Sequence, residues 1–205
     1  MSSPAETTTT PEPGFDPLVF WIQHRSKILL FSGLLTVGLA TWGISEWSRA
    51  STLAGARDLL ATAKTADDYR KLITAFPATN AAGNAHLLLA DQLRHEGKLD
   101  ESSALLRTFA EKYPAHPLLS GAWTSLAANL EAQGKADEAL ATYQKVSTSY
   151  ANSFSAPIAL LEQARLLKAR GKTDEAARIY EQVMTRYPDS PLAMRAGQEN
   201  HELKK

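Results

Sequence analysis

The sequence predicts an all-α protein in two parts: one transmembrane helix, then a solenoid of helical hairpins that repeats every 37 residues. Two observations carry that prediction. Residues 28–45, ILLFSGLLTVGLATWGIS, contain no charged side chain. Further along, Gly97-Lys98, Gly134-Lys135 and Gly171-Lys172 recur at intervals of 37, and so do the aromatics Phe76, Tyr113, Tyr150 and Tyr187. Self-similarity at such a period marks architectures in which one helical hairpin cannot close a core alone and stacks on its neighbours.

Residues 1–14 are rich in Thr, Pro and Glu and nearly devoid of apolar side chains. They offer too little surface to bury against the entropy of ordering, which predicts a disordered tail. Residues 15–27 read as an interfacial approach segment, with Phe20 and Trp21 ahead of basic Arg25 and Lys27. The charge-free run 28–45 follows, and as a helix it is roughly 27 Å long, close to the hydrocarbon thickness of a bilayer. Trp42 and Trp47 lie near its far end. Two other readings stand beside a span. A buried core helix is disfavoured by the length and uniformity of the run. A cleaved signal peptide has an Ala-x-Ala pattern at Ala54 and Ala56, but charged Glu46 and Arg49 intervene and the polar leader is long, so an uncleaved signal anchor fits better. Arg25 and Lys27 abut the membrane edge more closely than Arg49, Arg57 and Lys64 do. This favours a cytoplasmic N-terminus and an external C-terminal domain. Ser32, Thr36 and Ala40 share one face of the span, a spacing that admits a second helix at close range.

The repeats occupy residues 52–205: units at about 52–80, 81–117, 118–154 and 155–191, then a capping helix over 191–205. The third unit shows the logic. A first helix over roughly Leu118–Gln133 ends at Gly134, where the chain must turn left-handed. Asp137 and Glu138 then open a second helix, where negative charge complements the macrodipole. That helix runs to about Tyr150. In the second and fourth units, Pro114 and Pro188 after the aromatic prevent continuation. The first unit keeps Tyr69, Leu72 and Phe76 at the right offsets but lacks the Gly-Lys turn.

The pattern resembles the tetratricopeptide repeat. Trp123, Leu126, Ala127, Leu130, Ala139, Tyr143 and Val146 in the third unit match its marks, as do Leu160, Ala164, Leu167, Ala176, Tyr180, Val183 and Pro188 in the fourth. The second unit supplies Leu89, Ala90, Leu93, Ser102, Leu106, Phe109 and Pro114. Ser102 and Ala151 depart from the usual alanine and proline, and 37 residues is longer than the usual period. A polar tail, one span and repeats to the end resemble the bacterial envelope family that includes the ancillary subunit of the Sec translocon. That resemblance implies a single-pass protein of the bacterial inner membrane with a periplasmic repeat domain. It also implies a role beside secreted proteins as they leave the translocon, with translocon components or periplasmic chaperones as partners. A scaffold for cell-wall or outer-membrane assembly, and a subunit of a membrane enzyme complex, are the competing readings.

No reactive centre is expected. The formal net charge is zero, which gives no footprint for nucleic acid. The absence of cysteine excludes disulfides, thiolate metal sites, a cysteine nucleophile and an N-terminal lipidated cysteine. No phosphate-binding glycine loop and no His-Glu-x-x-His are present. Asp91 and His95, four apart, read as a solvated pair before they read as metal ligands, and His86 takes the place of a repeat aromatic. No cofactor, metal or small-molecule substrate is therefore expected. The expected partners are proteins and the lipid bilayer, and the expected binding surface is the groove of the first helices. Asn84, Leu87, Asp91 and Arg94 map there from the second unit, Thr124, Ala128 and Glu131 from the third, and Leu161, Arg165 and Lys168 from the fourth.

Overall fold

A computed structural model describes residues 17–203 and 205, excluding the side chain of Val19. The tail at 1–14 and the first two residues of the approach segment lie outside the described residues. Contacts divide the chain into two units, Met1–Ser51 and Thr52–Lys205. Every regular element among the described residues is an α-helix: α1 (Pro17–Thr62), α2 (Ala66–Ala75), α3 (Asn80–His95), α4 (Leu99–Lys112), α5 (Leu119–Ala132), α6 (Ala136–Ser149), α7 (Ser155–Ala169), α8 (Thr173–Arg186) and α9 (Pro191–Leu203).

Helix α1 is described from Pro17 onward. It includes most of the approach segment and extends well past residue 45, because no proline or glycine pair interrupts it. Its apolar stretch is long and apolar enough to cross a membrane, and none of that stretch is buried. Leu30, Phe31, Leu34, Leu35 and Ile44 are each more than half exposed. A helix that packs into this chain's own core would be mostly covered, so the core-helix reading does not describe it.

In the repeat domain, the last turns of α1 serve as the first helix of the first unit. Ala56 is fully buried with Leu72 of α2. Where later units have Gly-Lys, this one has Thr65. Its hydroxyl accepts from the Asp68 amide while the Asp68 carboxylate accepts from the Thr65 amide, a reciprocal capping box. These bonds hold the Asp68 carboxyl below its ordinary range, the Thr65 hydroxyl foremost.

The Gly-Lys turns form as their chemistry requires. Gly97, Gly134 and Gly171 have φ of 76°, 77° and 74°, a region that side chains with a Cβ avoid. Each turn closes with two hydrogen bonds. Lys98, Lys135 and Lys172 donate their amides to Leu93, Leu130 and Leu167 at 2.8–2.9 Å, and each glycine amide donates to the carbonyl three residues back. This is the six-to-one and five-to-two pattern that satisfies the last carbonyls of a helix.

The recurring aromatics end the second helices. Phe76, Tyr113, Tyr150 and Tyr187 are the C-cap residues of α2, α4, α6 and α8. Two of them also join consecutive repeats. The Tyr113 hydroxyl donates to the Pro77 carbonyl at 2.7 Å, and the Tyr187 hydroxyl donates to the Ala151 carbonyl at 2.6 Å. In both cases the acceptor lies in the turn that follows the preceding repeat's aromatic. The repeat interval is thereby written into side-chain chemistry.

From α2 onward consecutive helices pack side by side, and α5 meets α7 as α7 meets α9. Close crossing rests on small residues. Ala90, Ala127 and Ala164 of the first helices are buried, and so are Ser102, Ala139 and Ala176 of the second. Larger side chains fill the layer between them, with Phe109, Tyr143, Val146, Tyr180 and Val183 at 2% exposure or less. His86 fills the aromatic slot at 2% exposure, set edge-on to Tyr113. Helix α9 packs on α7 and α8 through Ala196, Leu192 and Leu203, which closes the end of the core.

Candidate protein-binding groove

The outward faces of α3, α5 and α7 line two open clefts. The first, of about 370 Å³, lies between α3 and α5, floored by Ser102 and Leu106 of α4. The second, of about 440 Å³, lies between α5 and α7, floored by Tyr143 of α6. Arg94, Thr124 and Ala128 line both, so the two form one groove.

Two polar systems organise the groove. In the first, Arg94 donates from Nη1 to Asn129 Oδ1 at 3.0 Å. Asn129 donates from Nδ2 to Ser102 Oγ at 2.8 Å, and Ser102 donates to the Ala90 carbonyl at 2.6 Å. Asn129 and Ser102 are buried, so the Asn129–Ser102 bond and the Ser102 bond to the Ala90 carbonyl form without water competition. In the second, Arg165 bridges Glu131 of α5 and Glu162 of its own helix. The Glu131 hydrogen bond, then Glu162, holds the Arg165 guanidinium further up than its already high value. Burial, with the two carboxylates behind it, pushes the Tyr143 hydroxyl up as well. Tyr143 thus remains a neutral phenol in the floor.

The expected surface residues divide. Leu87, Asp91, Arg94, Thr124, Ala128, Glu131 and Arg165 line the clefts. Asn84 is half-buried and lines neither. Leu161 is 6% exposed and packed into the core with Ala196 of α9. Lys168 is drawn to the same helix, 3.0 Å from Glu199 and 3.8 Å from Glu202. Asp91 and His95 lie 3.6 Å apart on the exposed face of α3, and no group of three metal-ligating side chains gathers among the described residues. Ser32, Thr36 and Ala40 are exposed on α1, and the Thr36 hydroxyl is occupied by the Gly33 carbonyl at 2.9 Å.

Sequence reasoning passed over Gly121 and Ile158, although each occupies the position of Asn84 one or two repeats later and each lines a cleft. The repeat register was the signal that places them. Phe154 was also missed. It is 62% exposed and lies against Gly121, at the rim of the first cleft. The repeat domain leaves six large apolar side chains exposed among the described residues: Leu53, Leu88, Leu118, Phe154, Ile158 and Met194. Leu118, Phe154 and Ile158 all border the groove. Exposed apolar surface gathered at a groove is what a protein-binding surface offers.

Comparison with known proteins agrees with this architecture. A family profile described as tetratrico peptide repeat matches residues 49–152, half of the chain, and a second described as tetratricopeptide repeat matches residues 158–190. No curated protein matches. Among solved structures, a Podosopora anserina protein named for kinesin light chain, with nearly identical TPR-like repeats, is similar at TM-score 0.55 and 18% identity. The similarity covers 75% of this chain and 84% of that one, and the same figures hold for a single-substitution variant of that protein. MamA protein is similar at TM-score 0.54 and 17% identity, covering 76% and 84%. At these identities the likeness speaks for the fold alone. Tetratricopeptide repeats imply an interaction scaffold for protein partners. On the profile match over half its length, the chain belongs to the tetratricopeptide repeat family.

Proposed function

We propose that the protein is a non-catalytic scaffold anchored in a bacterial inner membrane, with a cytoplasmic N-terminus and a periplasmic repeat domain. There it holds secreted proteins, or the factors that receive them, beside the Sec translocon. In this reading residues 1–14 are a tail, 15–27 the interfacial approach, 28–45 the span and 52–205 the interaction domain.

The observation that carries the proposal is the groove of α3, α5 and α7, bordered by Leu118, Phe154 and Ile158 and floored by fixed polar groups. Apolar rim and polar floor together suit a protein segment better than a small molecule, which asks for an enclosed pocket. The span is supported by the exposed apolar face of α1. Left in water it is costly, whereas lipid covers it without a packing partner. Arg25 and Lys27 support the orientation, and the layout resembling the translocon's ancillary subunit supports the setting.

The test is a photo-crosslinking side chain at position 124, in the wall shared by both clefts, in cells making the full chain. Crosslinks to a nascent secreted protein or a translocon subunit are expected. Crosslinks confined to cell-wall enzymes would replace the translocon setting. Protease added to spheroplasts is expected to digest the repeat domain, and its survival until lysis would reverse the orientation.

A further inference from the structure

The groove holds one guanidinium without a counter-charge. Arg94 and Arg165 are the cations that line the two clefts. Arg165 is matched by two carboxylates. Arg94 touches only neutral oxygens, Asn129 Oδ1 at 3.0 Å and the Ser125 carbonyl at 3.5 Å, and no carboxylate pairs with it among the described residues. A guanidinium has five N–H donors in a fixed fork, and both of these bonds use the same nitrogen. The remaining donors belong to a group that α3 carries at the join of the two clefts.

That group is also held in place. Asn129 is fully buried and fixed in turn by Ser102 and the Ala90 carbonyl. A polar chain of this kind orients the arginine before any ligand arrives, which lowers the ordering cost of binding. On either side the walls are apolar: Leu87, Leu106 and Leu118 in the first cleft, Ile158 in the second. Asp91 shares the rim of the first cleft, and Glu131 and Glu162 stand in the second. Further negative charge on a ligand would meet those carboxylates.

We infer that Arg94 receives a single carboxylate from a bound peptide segment, an internal Asp or Glu side chain flanked by aliphatic or aromatic residues that enter the adjoining clefts. This deepens the groove reading and rests on it. It commits to a peptide with one acid among apolar residues. A polyacidic tail is disfavoured by Asp91, Glu131 and Glu162. An uncharged apolar peptide leaves the guanidinium unmatched.

The experiment uses the full chain in lipid nanodiscs and three fluorescein-labelled peptides: Gly-Ser-Leu-Glu-Leu-Phe-Ser-Gly, the same peptide with Gln for Glu, and one with three consecutive Glu. A charge-assisted bond to a preorganised arginine predicts about 10-fold tighter binding of the single-Glu peptide over its Gln counterpart. Arg94→Gln is expected to erase that difference. Equal binding of the Glu and Gln peptides to the native chain would overturn the inference, and so would an equal loss of both in Arg94→Gln. Asp91→Asn, an exposed change that does not touch the core, is expected to tighten the single-Glu and triple-Glu peptides about 2-fold at low salt. Unchanged affinities there would count against the inference even if Arg94→Gln failed to fold. If none of the peptides binds while position 124 still crosslinks to a partner, the carboxylate assignment falls and the groove reading stands. If both fail, both readings fall.

Discussion

Replacing Asn129 by alanine removes the middle of the chain that ties α3, α4 and α5 together, and its cost follows from what each end is left with. Asn129 is fully buried and makes two hydrogen bonds, one to Ser102 and one from Arg94. A neutral buried bond contributes about 1 kcal/mol. A bond from a charged donor contributes about 1.5–3 kcal/mol when dry, but Arg94 is half-exposed and regains water, so the lower end applies. Ser102 keeps the Ala90 carbonyl and is not orphaned. The expected loss is therefore about 2–3 kcal/mol. For a domain of this size that lowers Tm by about 6–9 °C, read by circular dichroism at 222 nm. A partner arm sharpens the test. Replacing both members with apolar groups, as in Asn129→Leu with Ser102→Ala, removes the polar demand along with the bonds and should recover at least half of the loss. A loss below about 0.5 kcal/mol for Asn129→Ala would show that the chain is not holding the helices together, and Arg94 would then lack the rigid seat assigned to it.

Burial pushes the His86 imidazole below its ordinary value near 6.5, with Lys112 adding to the effect. As pH falls below about 6.5 the unfolded chain takes up the proton first, so stability should decline by at most about 1.4 kcal/mol per pH unit from this residue. Urea melts at pH 7.5, 6.5 and 5.5 should show a shallower decline in His86→Phe, and an unchanged slope would be contrary. Gly134→Ala meets no atom within 4 Å, so its cost is the left-handed backbone alone, about 1 kcal/mol. Asn at 134 should cost less than Ala, and equal melting temperatures for Gly, Asn and Ala would contradict the turn assignment. Thr65→Ala removes the hydroxyl half of the capping box between α1 and α2 and should cost about 1 kcal/mol. Faster amide exchange confined to α2 is the expected signature, and uniform exchange across all helices would oppose it.

Much of the architecture was readable because its causes are local. A glycine that must adopt positive φ, two acids in the next first turn and an aromatic C-cap recur in the same order, and each acts within a few residues. The readings at Gly134, His86 and the small residues Ala127 and Ala164 came from the same short-range rules, and each occupies the environment those rules describe. The extension of α1 to Thr62 was less legible, because the eye follows charge and a helix follows backbone propensity.

The groove was legible in part. Register alone points to Leu87, Asp91, Arg94, Thr124, Ala128, Glu131 and Arg165, and it would have added Gly121 and Ile158 had it been carried through every unit. Leu161 shows where register stops working. Its position repeats that of Leu87 and Thr124, but it packs into the core with Ala196 of α9, whereas they line the first cleft. Register marks equivalent positions, and the packing around each one decides how much of it stays open.

Helix pairing, turn geometry and repeat interval are fixed by capping, backbone freedom and apolar spacing, which act between near neighbours along the chain. The choice of which groove charges are spent and which remain open belongs to contacts some thirty residues apart, such as Arg165 with Glu131 and Arg94 with Asn129. No local rule sets those distances. They arise only when the hairpins have stacked and the side chains of three helices compete for the same few acceptors.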